Sequence, residues 1–106
     1  MKILFDQGTP APLRSVLLDY HVKTAFECGW DRLENGALLA AAESDGFEVF
    51  VTTDQNLQYQ QNLTQRRIAI VVLTTANWPR LHPHAQLVVS ALQGIAPGAF
   101  VEISIP

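Results

Sequence analysis

The run IAIVVL, residues 68–73, is apolar at every position. A strand with one wet face alternates apolar and polar residues. An unbroken run of this length, rich in β-branched side chains, calls for cover on both faces. That demand points to a parallel sheet with helices on either side of it. Four more short apolar runs read as strands: KILF (2–5), VKTAF (22–26), FEVFV (47–51) and FVEISI (100–105). VKTAF and FVEISI partly alternate, as edge strands do. Helical signals fall between the runs. Pro10 or Pro12 suits a first helical turn with Thr9 as its cap, followed by the stripe Leu13, Val16 and Leu17. Asn35 precedes GALLAAAESDGF, where Ala and Leu favour helix and Gly46 ends it. Asp54 is placed to cap a short helix through about Leu63. Pro83 or His84 opens a last helix that Gly94 stops.

The resulting β-α-β-α-β-α-β-α-β order predicts a single three-layer α/β/α domain over residues 1–106, with a five-stranded, mainly parallel sheet. Charged residues make up 16% of the chain, against about 25% in ordinary domains. Part of the surface is therefore expected to meet a partner or a second copy of the chain. A net charge of −3 argues against tight non-specific nucleic-acid binding, which draws most of its affinity from Lys and Arg on phosphates. The one local basic cluster is Arg66 and Arg67. The lone Cys28 leaves no internal disulfide and suits a reducing compartment. With no signal-peptide pattern in MKILFDQGTP and no membrane-length apolar run, the expectation is a cytoplasmic protein.

In parallel α/β sheets, ligands sit outside the carboxyl ends of the strands, where strand order reverses. Asp6 follows the first strand in ILFDQ, and Asp54 follows the third in VTTD. In the doubly wound order 2-1-3-4-5 those strands are neighbours and the two carboxylates share one rim. Hard anionic oxygens suit Mg²⁺ or Mn²⁺, which can activate water for phosphodiester cleavage. The same residues also suit a plainer role, because Asp is a preferred cap and turn residue. Both readings stand at the level of sequence.

MKILFDQ at the amino end, NGALLAAAESDGFEVFVTTDQNL in the middle and IAIVVL after it resemble, in order and spacing, the short bacterial PIN-like domains, relatives of PIN ribonucleases and of the PIN toxins of toxin–antitoxin pairs. The resemblance runs from Met1 to about Thr74. It implies a PIN-like fold, a divalent-metal-dependent ribonuclease or toxin-type activity, Mg²⁺ or Mn²⁺ as the ion, and RNA and an antitoxin-like protein as partners. It places the family's first acid on Asp6 and the acid after strand three on Asp54. The acid at the start of the second helix falls near Asn35, with Glu34 adjacent. A further acid falls on Asn56, and the following aromatic on Leu57. Two carboxylates are kept and two positions hold amides. An amide brings a neutral oxygen but neither charge nor basicity, so metal binding is expected to be weak. The alternative implied by these departures is a catalytically degenerate module that binds RNA or a protein partner.

The amide-rich stretch DQNLQYQQN then reads either as a polar rim of that site or as a solvated helix face. As a rim, Gln7, Thr53, Gln55, Tyr59, Arg66 and Arg67 would touch a substrate or partner, with Tyr59 able to stack a base. His82 and His84 flank Pro83 and read as surface residues. Trp30 and Trp78 either pin loops to the core or mark an interface. Cys28 has no basic neighbour in sequence and reads as unreactive. A phosphoacceptor receiver domain would also use Asp6, Asp54 and Thr74, but it needs a second early acid and a late Lys. Gln7 follows Asp6, and no Lys follows Lys23.

Overall fold

The structure is a computed structural model, described at residues 1–57, 63 and 66–106. The helix expected between Asp54 and Leu63, and Tyr59 with it, fall largely outside the described residues. Five strands form one sheet in the order β2-β1-β3-β4-β5. They are β1 (Lys2–Phe5), β2 (His21–Thr24), β3 (Val49–Thr52), β4 (Ala69–Leu73) and β5 (Phe100–Ile103). Every pairing is parallel. A 3-10 helix (Ala11–Val16) links β1 to β2, and α1 (Asn35–Ser44) links β2 to β3. Helices α2 (Trp78–Leu81) and α3 (Ala85–Leu92) lie between β4 and β5, joined by a 3-10 turn, His82–His84.

Two cores flank the sheet. Ile3, Phe5, Val49, Val51, Val71 and Leu73 point to one face, where Leu13, Leu17, Leu81 and Val88 cover them. Leu4, Phe50, Ile70 and Val72 point to the other, beneath Leu38, Leu39 and Ala42 of α1. Alternate residues of one strand serve opposite cores because successive side chains in a strand project to opposite faces. All five residues of β4 are buried, which is why the run is apolar throughout. Strand boundaries shift by one or two residues from those expected. The second strand ends at Thr24, and Ala25 and Phe26 enter a turn.

The first connection and the α2–α3 connection lie on one face, while α1 and the described part of the β3–β4 connection, Leu57, lie on the other. The chain steps one way along the sheet from β1 to β2, and the opposite way from then on. The β4-to-β5 crossover therefore has the opposite hand to the other three. A regular doubly wound sheet keeps one hand throughout. This departure separates the chain from a receiver domain.

Local signals explain the ends of α1. Gly46 has φ +85°, a conformation costly for other residues. It lets Phe47 N–H reach Ala42 O at 2.9 Å and Gly46 N–H reach Glu43 O at 3.1 Å. These are the two bonds of a Schellman stop. Lys2 then ties this corner to β1, bonding the Asp45 carboxylate at 2.8 Å and lying 4.3 Å over the Phe47 ring.

The edge strand β2 is tied down by an ion pair. Arg14 of the 3-10 helix grips both carboxylate oxygens of Glu27. One of those oxygens also takes Thr24 N–H at 2.9 Å. The Arg14 guanidinium and the Thr24 N–H hold the Glu27 carboxyl down to about 2, from an ordinary 4.5. A folded-state value below the unfolded one adds stability that is complete above about pH 4.5 and is lost as pH falls through about 2. Arg14→Ala is expected to move the Glu27 titration back toward 4.5 and to shift the acid-unfolding midpoint to higher pH. Carboxyl NMR titration of both proteins measures it, and an unmoved Glu27 would sever the assigned link.

Candidate functional site

Strand register brings the two acids together. Phe5 pairs with Val51, so Asp6, the next residue, stands alongside Thr52 at the carboxyl rim. This is also the switch point, since β2 lies on one side of β1 and β3 on the other. Asp6 N–H donates to Val51 O at 3.2 Å, which continues the ladder one step past the strand.

Asp6 is half-buried, and both of its carboxylate oxygens are engaged. Oδ1 accepts Thr9 N–H at 3.0 Å and lies 2.6 Å from the Thr9 hydroxyl. That hydroxyl has one proton and also stands 2.9 Å from Val51 O, so the two acceptors share it. Oδ2 accepts the hydroxyl of Thr52. The Thr52 oxygen in turn accepts Asp54 N–H at 3.0 Å. One fully buried hydroxyl thus joins the two acid-bearing loops.

Asp54 is satisfied in the same manner. Its Oδ1 takes Asn56 N–H at 3.0 Å, an Asx turn, and its Oδ2 takes the Asn35 side-chain amide at 3.0 Å. Asn35 is the first residue of α1 rather than its cap; Glu34 holds the cap position, without a side-chain capping bond. Starting the helix there turns Asn35 inward and leaves the Glu34 side chain exposed. Asn56 reaches Asp54 through its main chain, and its side chain is exposed.

The remaining expected residues divide by location. Gln7 is exposed and bonds Asp31 O at 3.1 Å, holding the β2–α1 loop against the rim. Thr53 is half-buried under the Asp6 loop. A Cβ on Gly8 would lie 2.8 Å from its hydroxyl, so a larger residue there would force the Thr53 side chain to turn away. Gln55 reaches Thr74 O at 3.3 Å, and the Thr74 hydroxyl accepts Ile105 N–H at 2.8 Å. Arg66 and Arg67 do not join the rim. They precede β4 and so enter at the amino end of the sheet. Arg66 lies along α1, 2.7 Å from Glu43, while Arg67 N–H bonds the second Glu43 oxygen at 3.0 Å. Burial pushes Glu43 up, but these two donors outweigh it and hold its carboxyl below the usual range.

Sequence reasoning passed over three contributors. Thr9 and Thr52 carry the hydrogen bonds described above. Asp31 lines a cleft of about 180 Å³ together with Asp6, Asn35, Trp30 and Leu33. A larger cavity, about 340 Å³, lies at the opposite, amino end of the sheet, between Phe47, Arg67 and Ile95, away from both acids. The two tryptophans serve the core. Trp30 packs edge-on against Phe47 at 5.9 Å, and Trp78 is half-buried beside the first core. Burial pushes the Cys28 thiol up, in keeping with an unreactive side chain.

Among the described residues, this donor set offers a divalent ion two partly engaged carboxylates. Each of these oxygens already accepts one or two hydrogen bonds from Thr9, Thr52, Asn35 or Asn56 and keeps at most one lone pair for a cation. Asn35 turns its N–H₂, a donor, toward Asp54. Among the described residues no group of three or more His, Cys, Asp and Glu side chains is close enough to hold an ion. The arrangement can instead hold two loops rigid and present carboxylates, amides and hydroxyls to a partner.

Comparison with protein-family models, with curated proteins and with solved structures finds no match to the chain.

Two measurements probe the network. Thr52→Val keeps the shape and deletes the bridging hydroxyl. It leaves Asp6 Oδ2 and Asp54 N–H short of a partner and is expected to cost about 1–3 kcal/mol in denaturant unfolding, with Thr52→Ser recovering most of it. No loss would remove Thr52 from the role assigned. Asn35→Asp sets a second carboxylate against Asp54 Oδ2. The melting temperature without metal should fall, because paired carboxylates repel. Mn²⁺ should bind at least about tenfold more tightly, roughly 1.4 kcal/mol, and raise the melting temperature more than in the natural chain. Asn56→Asp should do less, since only its main chain touches Asp54. Equal Mn²⁺-induced shifts in Asn35→Asp and the natural protein would mean that position 35 does not face an ion.

Proposed function

We propose that the chain is a PIN-like module, related to the nuclease and toxin domains it resembles, whose carboxyl-end rim binds a protein partner of the antitoxin kind and does not cleave RNA. One observation carries this reading: each of the four carboxylate oxygens of Asp6 and Asp54 already accepts a hydrogen bond from the chain itself, with which an ion would have to share it. Hydrolysis of a phosphodiester by this family's chemistry needs those oxygens for an ion. The electrostatics favour protein over RNA. The cleft carries Asp6 and Asp31, and Asp54 bonds Asn35 of its lining, whereas Arg66 and Arg67 lie elsewhere. Such a rim repels phosphate and suits a segment rich in N–H donors or Lys and Arg. Trp30 and Leu33 add apolar surface beside it.

The second reading, a Mg²⁺- or Mn²⁺-dependent ribonuclease, draws support from the placement of Asp6 and Asp54 on adjacent strand ends at the switch point. An RNA cleavage assay with Mg²⁺ and Mn²⁺, run beside Asp54→Ala, separates the two. The binding reading expects the same background with both proteins. Metal-dependent cleavage that disappears in Asp54→Ala would overturn it in favour of the nuclease.

A further inference from the structure

The two edges of the sheet differ in what they leave open. In β2, the bonds His21 N–H to Met1 O and Ala25 N–H to Phe5 O show that odd-numbered residues pair inward. Val22 and Thr24 therefore turn their main-chain groups outward. Those of Thr24 are both taken within the chain: its N–H by Glu27 and its carbonyl by Cys28 N–H at 3.2 Å. Just before the strand, Tyr20 N–H is taken by Leu17 O at 3.0 Å. His21 and Lys23 add polar and charged side chains. Only Val22 keeps open main-chain groups among the described residues of the strand, so this edge is partly blunted against strand addition.

At β5, Ile70 N–H to Ala99 O and Thr74 N–H to Ile103 O show that odd-numbered residues again pair inward. Phe100 and Glu102 turn their N–H and C=O groups outward, and no described residue bonds them. The strand contains no Lys and no Pro, and Glu102 is its one charged residue. Phe100 and Val101 are half-buried, each lying against one of the two cores.

We infer that β5 is a self-association edge, at which a second copy of the chain pairs antiparallel to make a continuous ten-stranded sheet. The register follows from charge and burial. Setting Glu102 opposite Glu102 of the second copy places like charges face to face. Centring the twofold axis on Ile103 would use a side chain that is already 92% covered, at 8% exposure. Centring it on Val101 sets Phe100 opposite Glu102 of the other copy, twice. Those two pairs exchange four main-chain hydrogen bonds, and the two half-exposed Val101 side chains meet at the axis. An isologous contact of this kind closes on itself, so assembly stops at two.

Glu102→Pro tests the edge directly. It removes an outward N–H that β4 does not use, and proline is tolerated on an edge strand in that orientation. Light scattering across a concentration series is expected to give a dimer for the natural chain and half that molar mass for Glu102→Pro. A Val101→Cys chain carrying Cys28→Ser should form a reducible dimer on mild oxidation, whether or not Glu102→Pro folds, because directly opposed residues in a non-hydrogen-bonded pair lie closest. A natural chain that stays monomeric at high concentration would overturn the proposal. So would a Val101→Cys chain that does not cross-link.

Discussion

Burial of β1, β3 and β4 between two helical layers is the constraint from which the rest follows. Ile3, Leu4, Phe5, Val49, Phe50 and Val51 have no exposure. A strand so enclosed has no water for its main chain, so its N–H and C=O groups must pair with neighbouring strands. Polar chemistry is pushed out to the rims. The buried polar residues of the described chain are Thr9 and Thr52, both where the strands end.

That confinement explains the hydrogen-bond network at the carboxyl rim. Asp6 leaves the sheet at the first position where a carboxylate is tolerable, still half-buried, and needs donors at once. Thr9, folded back on the tight Asp6–Thr9 turn, supplies two contacts, and Thr52 of the next strand supplies a third. Through Thr52 the demand passes to the Asp54 loop, and through Asp54 to the start of α1 at Asn35. Three connecting segments are thereby held together by polar bonds in a region too close to solvent for apolar packing. A carboxylate that already accepts the fold's own donors has fewer lone pairs left for a metal ion, and the proposed binding role rests on this competition.

The sheet edges show the same economy of main-chain groups. The β2 edge spends Glu27, Cys28 and Leu17 on its own outward groups. The β5 edge has no such covering among the described residues. Within one sheet, local bonds leave only Val22 open on β2, whereas Phe100 and Glu102 both stay open on β5, among the described residues.

The unbroken apolar run of β4, the partial alternation of the two edge strands and the Gly46 stop were enough to establish an α/β chain with the five strands in this order and helices between β2 and β3 and between β4 and β5. These are local or periodic signals, and each is written in consecutive residues. The shared rim of Asp6 and Asp54 also followed from the sequence, once β1 and β3 were taken as neighbours. The fate of each side chain at that rim was decided only by the tertiary structure. Whether Glu34 or Asn35 faces Asp54 depends on a one-residue difference in where α1 begins. Arg66 and Arg67 stand near the acids in sequence but enter at the other end of the sheet, because a parallel strand must start at the rim opposite to the one where its predecessor ended. Thr52 is indistinguishable from Thr53 in the string VTTD. Register against β1 alone buries one hydroxyl between two carboxylate loops and leaves the other beneath Gly8.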